Sequence, residues 1–350
     1  MERYEFVKTK DGSVGLYNHD VKDIYHSSHG AFSEAVQKFI LPSKYYSYVS
    51  NRNKVSILDI CYGIGYNTKA ALYFGKLHNK DIKIEVDALE IDEELIFISP
   101  LVKDTVPELD LDLFLFNQIS RITPEYISFI ANFLSRRMDS LPFLNRHLVD
   151  FIKKYDLSAL DLMVDANQQA FLHNIYYKYI SNSMKNNLSS NKYADCSFGY
   201  HCEDARLSLK NLNRSFDFIF LDAFTPQKVP ILWSIDFLSL IKSRMHDDSV
   251  IVTYSNSTPY RAALLELGFL VGKVIINGKQ FGTVASLNKN NIDVPLDDFD
   301  IGLTKTAGGI VYRDPDLNGE SSQIINNRED EKNISKRIST SSYKKSYYKS

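Results

Sequence analysis

The chain has 350 residues, 44% of them hydrophobic and 13% aromatic, with a formal net charge of −2. That length carries one large globular domain or two smaller ones. The near-neutral charge excludes a bulk electrostatic nucleic-acid binder, so any such binding must come from a local patch. The 3 cysteines, Cys61, Cys196 and Cys202, are too few and too irregular for a disulfide framework, which points to a reducing, cytoplasmic compartment.

Cys196, His201 and Cys202 match no zinc spacing and lack an evident fourth ligand, so no metal is expected. The N-terminus has no basic region followed by an apolar core, and no apolar run is long enough to span a bilayer, so neither a signal peptide nor a membrane partner is expected.

In chain order, Tyr4 to Tyr17 reads as a β-hairpin with Asp11-Gly12 at its centre, a pair favoured where turn residues need positive φ. Ile24 to Gly30 is polar and loop-like. From Ala31 the spacing of Ala31, Ala35, Phe39 and Ile40 is helical, with Ser28 or Gly30 as cap. His26, His29, three serines and Glu34 lie close together; they read as a surface-helix cap or as a site wall. Val55 to Ile60 is a short apolar run carrying Asp59, the pattern of a buried parallel strand. Gly63 and Gly65 follow, and Asn67 to Leu77 reads as a helix. Strand, glycine turn and helix form the first unit of a doubly wound nucleotide-binding domain.

Ile84 to Leu89 alternates as a second strand and ends at Glu90. An acid at this place can accept hydrogen bonds from both ribose hydroxyls of a nucleoside; otherwise it is an ordinary strand-end acid. Asp92 is placed to cap the next helix. Pro100 to Asp195 lacks strand alternation and reads as a helical insertion, with helices over 127–134, 148–155 and 171–184. Ser197 to His201 is a third strand. Asp204 and Ala205 then stand where nucleoside-binding folds grip the adenine amino group, although Asp204 also reads as a helix N-cap. Phe216 to Leu221 is a buried strand ending in Asp222-Ala-Phe-Thr-Pro-Gln-Lys-Val-Pro, an acid in a proline-stiffened loop facing the ligand crevice of an open sheet. Helices over 231–241 and 260–267, a strand over 250–254 and a final hairpin over 270–287 complete the core. Residues from Asp293 are loop-like. From Lys332 onward there are basic residues and no acids, which reads as a disordered tail that is solvated or adds weak, salt-sensitive attraction to RNA.

The division expected is 1–50 (hairpin and covering helix), 51–99 with 196–290 (core), 100–195 (insertion), 291–317 (extension) and 318–350 (disordered tail). A dinucleotide fingerprint would want glycine or alanine at position 68, where Thr68 stands. Asp59 would repel a pyrophosphate but suits the ammonium of S-adenosylmethionine. With Glu90, Asp204 and the terminal hairpin, these residues favour an α/β class I S-adenosylmethionine-dependent methyltransferase fold, Rossmann-like, by analogy of fold.

Tyr25-His-Ser-Ser-His-Gly-Ala-Phe-Ser-Glu-Ala, Leu58-Asp-Ile-Cys-Tyr-Gly-Ile-Gly-Tyr-Asn, Leu221-Asp-Ala-Phe-Thr-Pro-Gln-Lys-Val-Pro-Ile-Leu-Trp and Tyr312-Arg-Asp-Pro resemble the MnmC-type tRNA methyltransferases. The likeness covers residues 4–95 and 198–287. It departs from the family at Asp59, where Glu is frequent, and at Cys61-Tyr62, where Gly/Phe-type residues are common. The resemblance implies methylation of the aminomethyl group of a wobble 5-aminomethyl-(2-thio)uridine in tRNA. The form implied is the stand-alone one, without the FAD-dependent oxidase domain and coupled to enzymes that install the amine. It implies Asp222 as the residue that orients the amine and helps its proton leave, with Phe224, Pro226 and Lys228 at the substrate base. Cofactor contacts are implied for Tyr25, Ser27, Glu34, Asp59, Tyr62, Gly63, Gly65, Asn67, Glu90, Asp204 and Ala205. A spermidine-synthase-like aminopropyltransferase and a non-catalytic RNA-binding module with a relic cofactor pocket are the competing readings.

Overall fold

A computed structural model describes residues 3–25, 30–103, 142–154 and 195–349, with Phe114, Leu115, Gln118, Phe129, Lys178 and Tyr193. The strands are β1 (Tyr4–Lys8), β2 (Val14–Asn18), β3 (Asp23–Tyr25), β4 (Lys54–Ile60), β5 (Lys83–Leu89), β6 (Ser197–His201), β7 (Phe216–Leu221), β8 (Met245–Thr253), β9 (Leu270–Ile276) and β10 (Lys279–Ser286). The helices are α1 (Ala31–Ala35), α2 (Tyr45–Ser50), α3 (Tyr66–His78), α4 (Glu93–Ile98), α5 (Arg146–Lys154), α6 (Ala205–Asn211), α7 (Ile235–Lys242), α8 (Thr258–Glu266), α9 (Asp298–Thr304), α10 (Ser321–Ile334) and α11 (Thr340–Tyr347). Two compact units result: residues 1–36, 62–85 and 92–199, and residues 37–61, 86–91 and 200–350. Among the described residues no helix is long and apolar enough to cross a membrane.

In the first unit, β1 and β2 form the expected hairpin, and β3 extends it to three strands. β3 falls in the stretch whose polar composition reads as loop; Ile24 pairs with Tyr17 and Tyr25 with Leu16. The hairpin tip also differs from the positive-φ pair expected. Only Gly12 has positive φ, and Asp11 uses its carboxylate instead. It accepts from Thr9 Oγ1, Ser13 N and Ser13 Oγ within the turn, and from Ser33 N in the first turn of α1. Gly30 is the N-cap of α1, at φ 143, and a Cβ there would run into the Asp11 carboxylate. Asp11 thus caps α1 from a distant loop. Asp92 caps α4 as its position predicts, accepting from Glu94 N, and also receives the Tyr4 hydroxyl and Arg3.

The remaining strands form a seven-stranded sheet in the order β6-β5-β4-β7-β8-β10-β9. Counted from β4, this is the doubly wound order, with the last strand inserted antiparallel between β8 and β9. β7 pairs parallel with both β4 and β8, Ile57 opposite Phe218 and Phe218 opposite Val250. Its near-continuous apolar run suits burial on both faces. Phe218 and Phe220 meet Tyr45, Tyr48 and Phe39 at ring distances of 5.1, 5.1 and 5.9 Å. Ile219 and Leu221 point into the opposite core with Trp233 and Tyr260.

Two expectations for the C-terminal region are corrected. Within the loop-like stretch from Asp293, Asp297 caps the helix α9. The segment read as a disordered tail, 318–350, forms α10 and α11. Its composition is polar, but two residues four apart dock α10. Ile324 is buried. The Arg328 guanidinium donates to Ile310 O at 2.6 Å and Gly308 O at 3.0 Å, over the Tyr312 ring at 4.6 Å. Averaged composition does not register two such anchors. Of the expected insertion helices, 148–155 corresponds to α5; 127–134 and 171–184 lie outside the described residues, save Phe129 and Lys178.

Burial works against the Asp11 charge, but its hydrogen bonds from Ser13, Ser33 and Thr9 win and lower its pKa to about 2. With a folded pKa below the unfolded value of about 3.9, its contribution is present above pH 4 and lost as pH falls through 2. We predict that Asp11→Asn lowers the denaturation midpoint at pH 7, and that the gap to wild type narrows steadily from pH 4 downward. A gap independent of pH would contradict this role.

Candidate active site

The sheet order reverses between β4 and β7, and in open α/β sheets ligands bind outside the carboxyl ends of the strands at such a point. Backbone pairing continues there just past the strands. Asp222 N donates to Ile60 O at 3.1 Å, Cys61 N to Leu89 O at 2.9 Å and Glu90 N to His201 O at 3.2 Å. Three neighbouring strand ends thereby hold Asp59, Glu90 and Asp222 around Cys61. Asp59 is fully buried and Glu90 nearly so, with its Oε1 accepting from Ile91 N at 2.9 Å. Burial, then the Glu90, Asp222 and Asp59 charges, push the Cys61 thiol well above its ordinary pKa. A buried rim of this sign attracts a cation and repels a pyrophosphate.

Cys61 itself has φ 62, a left-handed backbone that costs a non-glycine residue roughly 1–2 kcal/mol. This gives a physical reason for the glycine-type residue common there in the family the sequence resembles. In the first unit the turn continues through Gly63 and Gly65, at φ 58 and 81. A Cβ on Gly65 would collide with the Tyr62 ring. The Tyr62 hydroxyl is within 2.7 Å of Ser99 Oγ, which donates to Ile64 O, so the turn is anchored from inside. Asn67 and Thr68 are buried in the first turn of α3. Tyr25, which accepts weakly from Asn18 Nδ2 at 3.4 Å, and Glu34 on α1 belong to this unit. Ser27 lies outside the described residues.

Asp204 is the N-cap of α6 and accepts from Arg206 N. Both its oxygens also take the Arg206 guanidinium, at 2.6 to 3.1 Å. Ala205 is the first residue of α6. Arg206 Nη1 reaches Asp314 at 2.8 Å, so the Tyr312-Arg-Asp-Pro segment is tied structurally to the helix that follows β6. The capping role of Asp204 is what the structure displays.

The loop after β7 is held by two residues the sequence reading did not single out for the site. Tyr254 donates its hydroxyl to Ala223 O at 2.8 Å, and Trp233 Nε1 donates to Phe224 O at 2.8 Å. Lys228 lies over the Phe224 ring at 5.4 Å. With both carbonyls engaged, the backbone after Asp222 has little freedom. Thr225, Pro226 and Gln227 form one wall of a groove of about 490 Å³, faced by Ser255 to Pro259 and by Gly308, Tyr312 and Arg328. The sequence signals were the lone tryptophan and a tyrosine just beyond β8. Arg328 gave none, since it comes from a helix not expected. Among the described residues no cluster of three or more metal-ligating side chains is present.

We predict that iodoacetamide at neutral pH modifies exposed Cys202 well before the half-buried Cys61; equal rates would contradict the raised pKa of the Cys61 thiol. Cys61→Gly should retain or raise the melting temperature, whereas Cys61→Val should lower it, because a β-branched residue tolerates positive φ least.

Residues 166–288 match a protein family described as S-adenosyl-L-methionine-dependent methyltransferase. The uncharacterized protein MJ0670 of Methanocaldococcus jannaschii is 28% identical over 357 residues, covering 98% of this chain and 79% of that one. The crystal structure of MNMC2 from Aquifex aeolicus superimposes with a TM-score of 0.60 at 26% identity, covering 94% of this chain and 84% of that chain. With the strand order, these similarities show a class I S-adenosylmethionine-dependent methyltransferase fold in a chain that is MnmC-like in sequence and structure.

Proposed function

We propose that this chain methylates the primary amine of 5-aminomethyl-(2-thio)uridine at the wobble position of tRNA, in the cytoplasm. The observation that carries the reading is the loop Asp222 to Pro230. Its residues resemble the MnmC-type motif, it stands at the sheet's switch point, and three of them wall a groove of about 490 Å³. The similarity to the MNMC2 structure over nearly the whole chain supports the same reading.

S-adenosylmethionine supplies an electrophilic methyl group beside a cationic sulfur. Asp59, Glu90 and Asp222 form a rim of matching charge. We assign Asp59 and the Tyr62 to Asn67 turn to the methionine part, and Glu90 to the ribose hydroxyls. Asp204 with Ala205 is assigned to the adenine, Asp204 using the lone pairs that Arg206 leaves. Tyr25, Ser27 and Glu34 are proposed to complete the cofactor site. Phe224, Pro226 and Lys228 are proposed to flank the uracil ring.

Free alkyl amines have a pKa of about 10, so at neutral pH the substrate amine carries a proton that blocks its lone pair. Asp222 is half-buried, tethered by its own N–H to Ile60 O, and close to two further carboxylates. It is placed to hold the ammonium by a charge-assisted hydrogen bond and to accept its proton, freeing the lone pair that would displace the methyl carbon from the sulfonium sulfur, which would leave with the C–S bonding pair. The rest of the catalysis is alignment, with nitrogen and carbon held about 3 Å apart. The aminomethyl group itself must come from an earlier modification reaction.

Asp222→Asn should reduce turnover by about 10²- to 10⁴-fold and leave cofactor affinity within a few-fold. Wild-type turnover in this variant would remove Asp222 from the chemistry. The substrate is tested by transfer of labelled methyl to tRNA bearing 5-aminomethyluridine, against unmodified tRNA. Label on the modified tRNA alone is expected; equal label on both, or on neither, would contradict the amine as acceptor.

A further inference from the structure

The C-terminal helices combine basic charge with exposed apolar and aromatic side chains. From residue 332 to the end the chain carries Lys332, Lys336, Arg337, Lys344, Lys345 and Lys349 and no acid, in a protein whose net charge is −2. Lys332 is paired with Glu329. Among the described residues no carboxylate pairs with the other five. The same stretch holds Ile334, Ile338, Tyr347 and Tyr348 among the exposed large hydrophobics, Tyr348 at 76% exposure.

This surface has a fixed place. Tyr343, Tyr347 and Tyr348 meet Phe299 of α9 at ring distances of 5.9, 4.9 and 5.5 Å, Tyr348 still presenting most of its ring to solvent, and Ala307 N donates to Ile338 O at 2.9 Å. Thr340, the first residue of α11, lies 3.1 Å from Thr306 through their hydroxyls and faces Gly308. Gly308 also lines the groove bounded by Thr225 to Gln227. The basic, aromatic helix therefore starts at the rim of the candidate substrate groove. Lys344 and Lys345 lie in the last turn of α11, Tyr348 is its C-cap with its N–H on Lys344 O at 3.2 Å, and Lys349 follows with its N–H on Ser346 O at 3.2 Å.

We infer that α11 with Lys336 and Arg337 is an RNA-binding surface that holds the tRNA outside the reacting nucleotide. Its lysines meet phosphates and Tyr348 stacks on a base or ribose face. The inference rests on the tRNA reading above and adds to it the part of this chain that grips the polymer.

The test uses the full chain and an unmodified tRNA transcript, with the dissociation constant measured from 50 to 200 mM KCl. Lys344→Glu/Lys345→Glu/Lys349→Glu should weaken binding at least tenfold at the lower salt. The salt slope should flatten by about 2 to 3, near one unit per lost phosphate contact. Tyr348→Ala should weaken binding several-fold with the slope unchanged. Both variants should keep wild-type affinity for S-adenosylmethionine, which reports an intact core. Unchanged affinity and slope in the triple variant would overturn the surface while leaving the tRNA reading in place. Loss of self-association rather than RNA affinity would assign the face to a second copy and also overturn it. A wild-type chain that binds no tRNA would overturn the substrate reading and this surface with it.

Discussion

Everything in the candidate site depends on three carboxylates forced together at the reversal of strand order. Asp59, Glu90 and Asp222 come from β4 and from the residues just past β5 and β7, neighbours in the sheet. Hydrogen bonds from Cys61 to Leu89 and from Asp222 to Ile60 fix their height. Carboxylates held close at the partly buried end of a sheet give a negative local potential that favours a cation. Such a rim is tuned to a cationic ligand, and S-adenosylmethionine carries positive charge at both its sulfur and its ammonium. Cys61, at the centre, stays a neutral thiol in that field.

The backbone just past β4 is also sharply constrained. A left-handed residue at Cys61 turns the chain immediately after β4, and the Gly63 and Gly65 conformations follow it. Tyr254 and Trp233 hold two successive carbonyls of the loop after β7, so that loop is ordered by the fold itself.

Much of this was legible in the sequence, because strands and turns are local signals. The apolar run Phe216 to Leu221, the alternation of residues 84–89 and the final hairpin over 270–287 are set by local pattern without knowledge of partners. Side-chain roles that depend on distant partners were not legible. Asp11 reads as a turn residue, and its capping of α1 appears only once Ser33 is beside it. Asp204 reads equally as cofactor ligand and cap, and only the position of Arg206 displays the cap. The tail reads as disordered because composition averages over its length, whereas its order comes from Ile324 and Arg328 meeting the residues around Tyr312.

The most direct measurement is calorimetric titration of S-adenosylmethionine into the wild-type chain and into Asp59→Asn and Glu90→Gln, with NAD as the control ligand. The account predicts saturable binding of S-adenosylmethionine, at least tenfold weaker in each variant, and none of NAD. Binding of NAD, or affinity for S-adenosylmethionine unaltered in both variants, would contradict the acidic rim as the cofactor site.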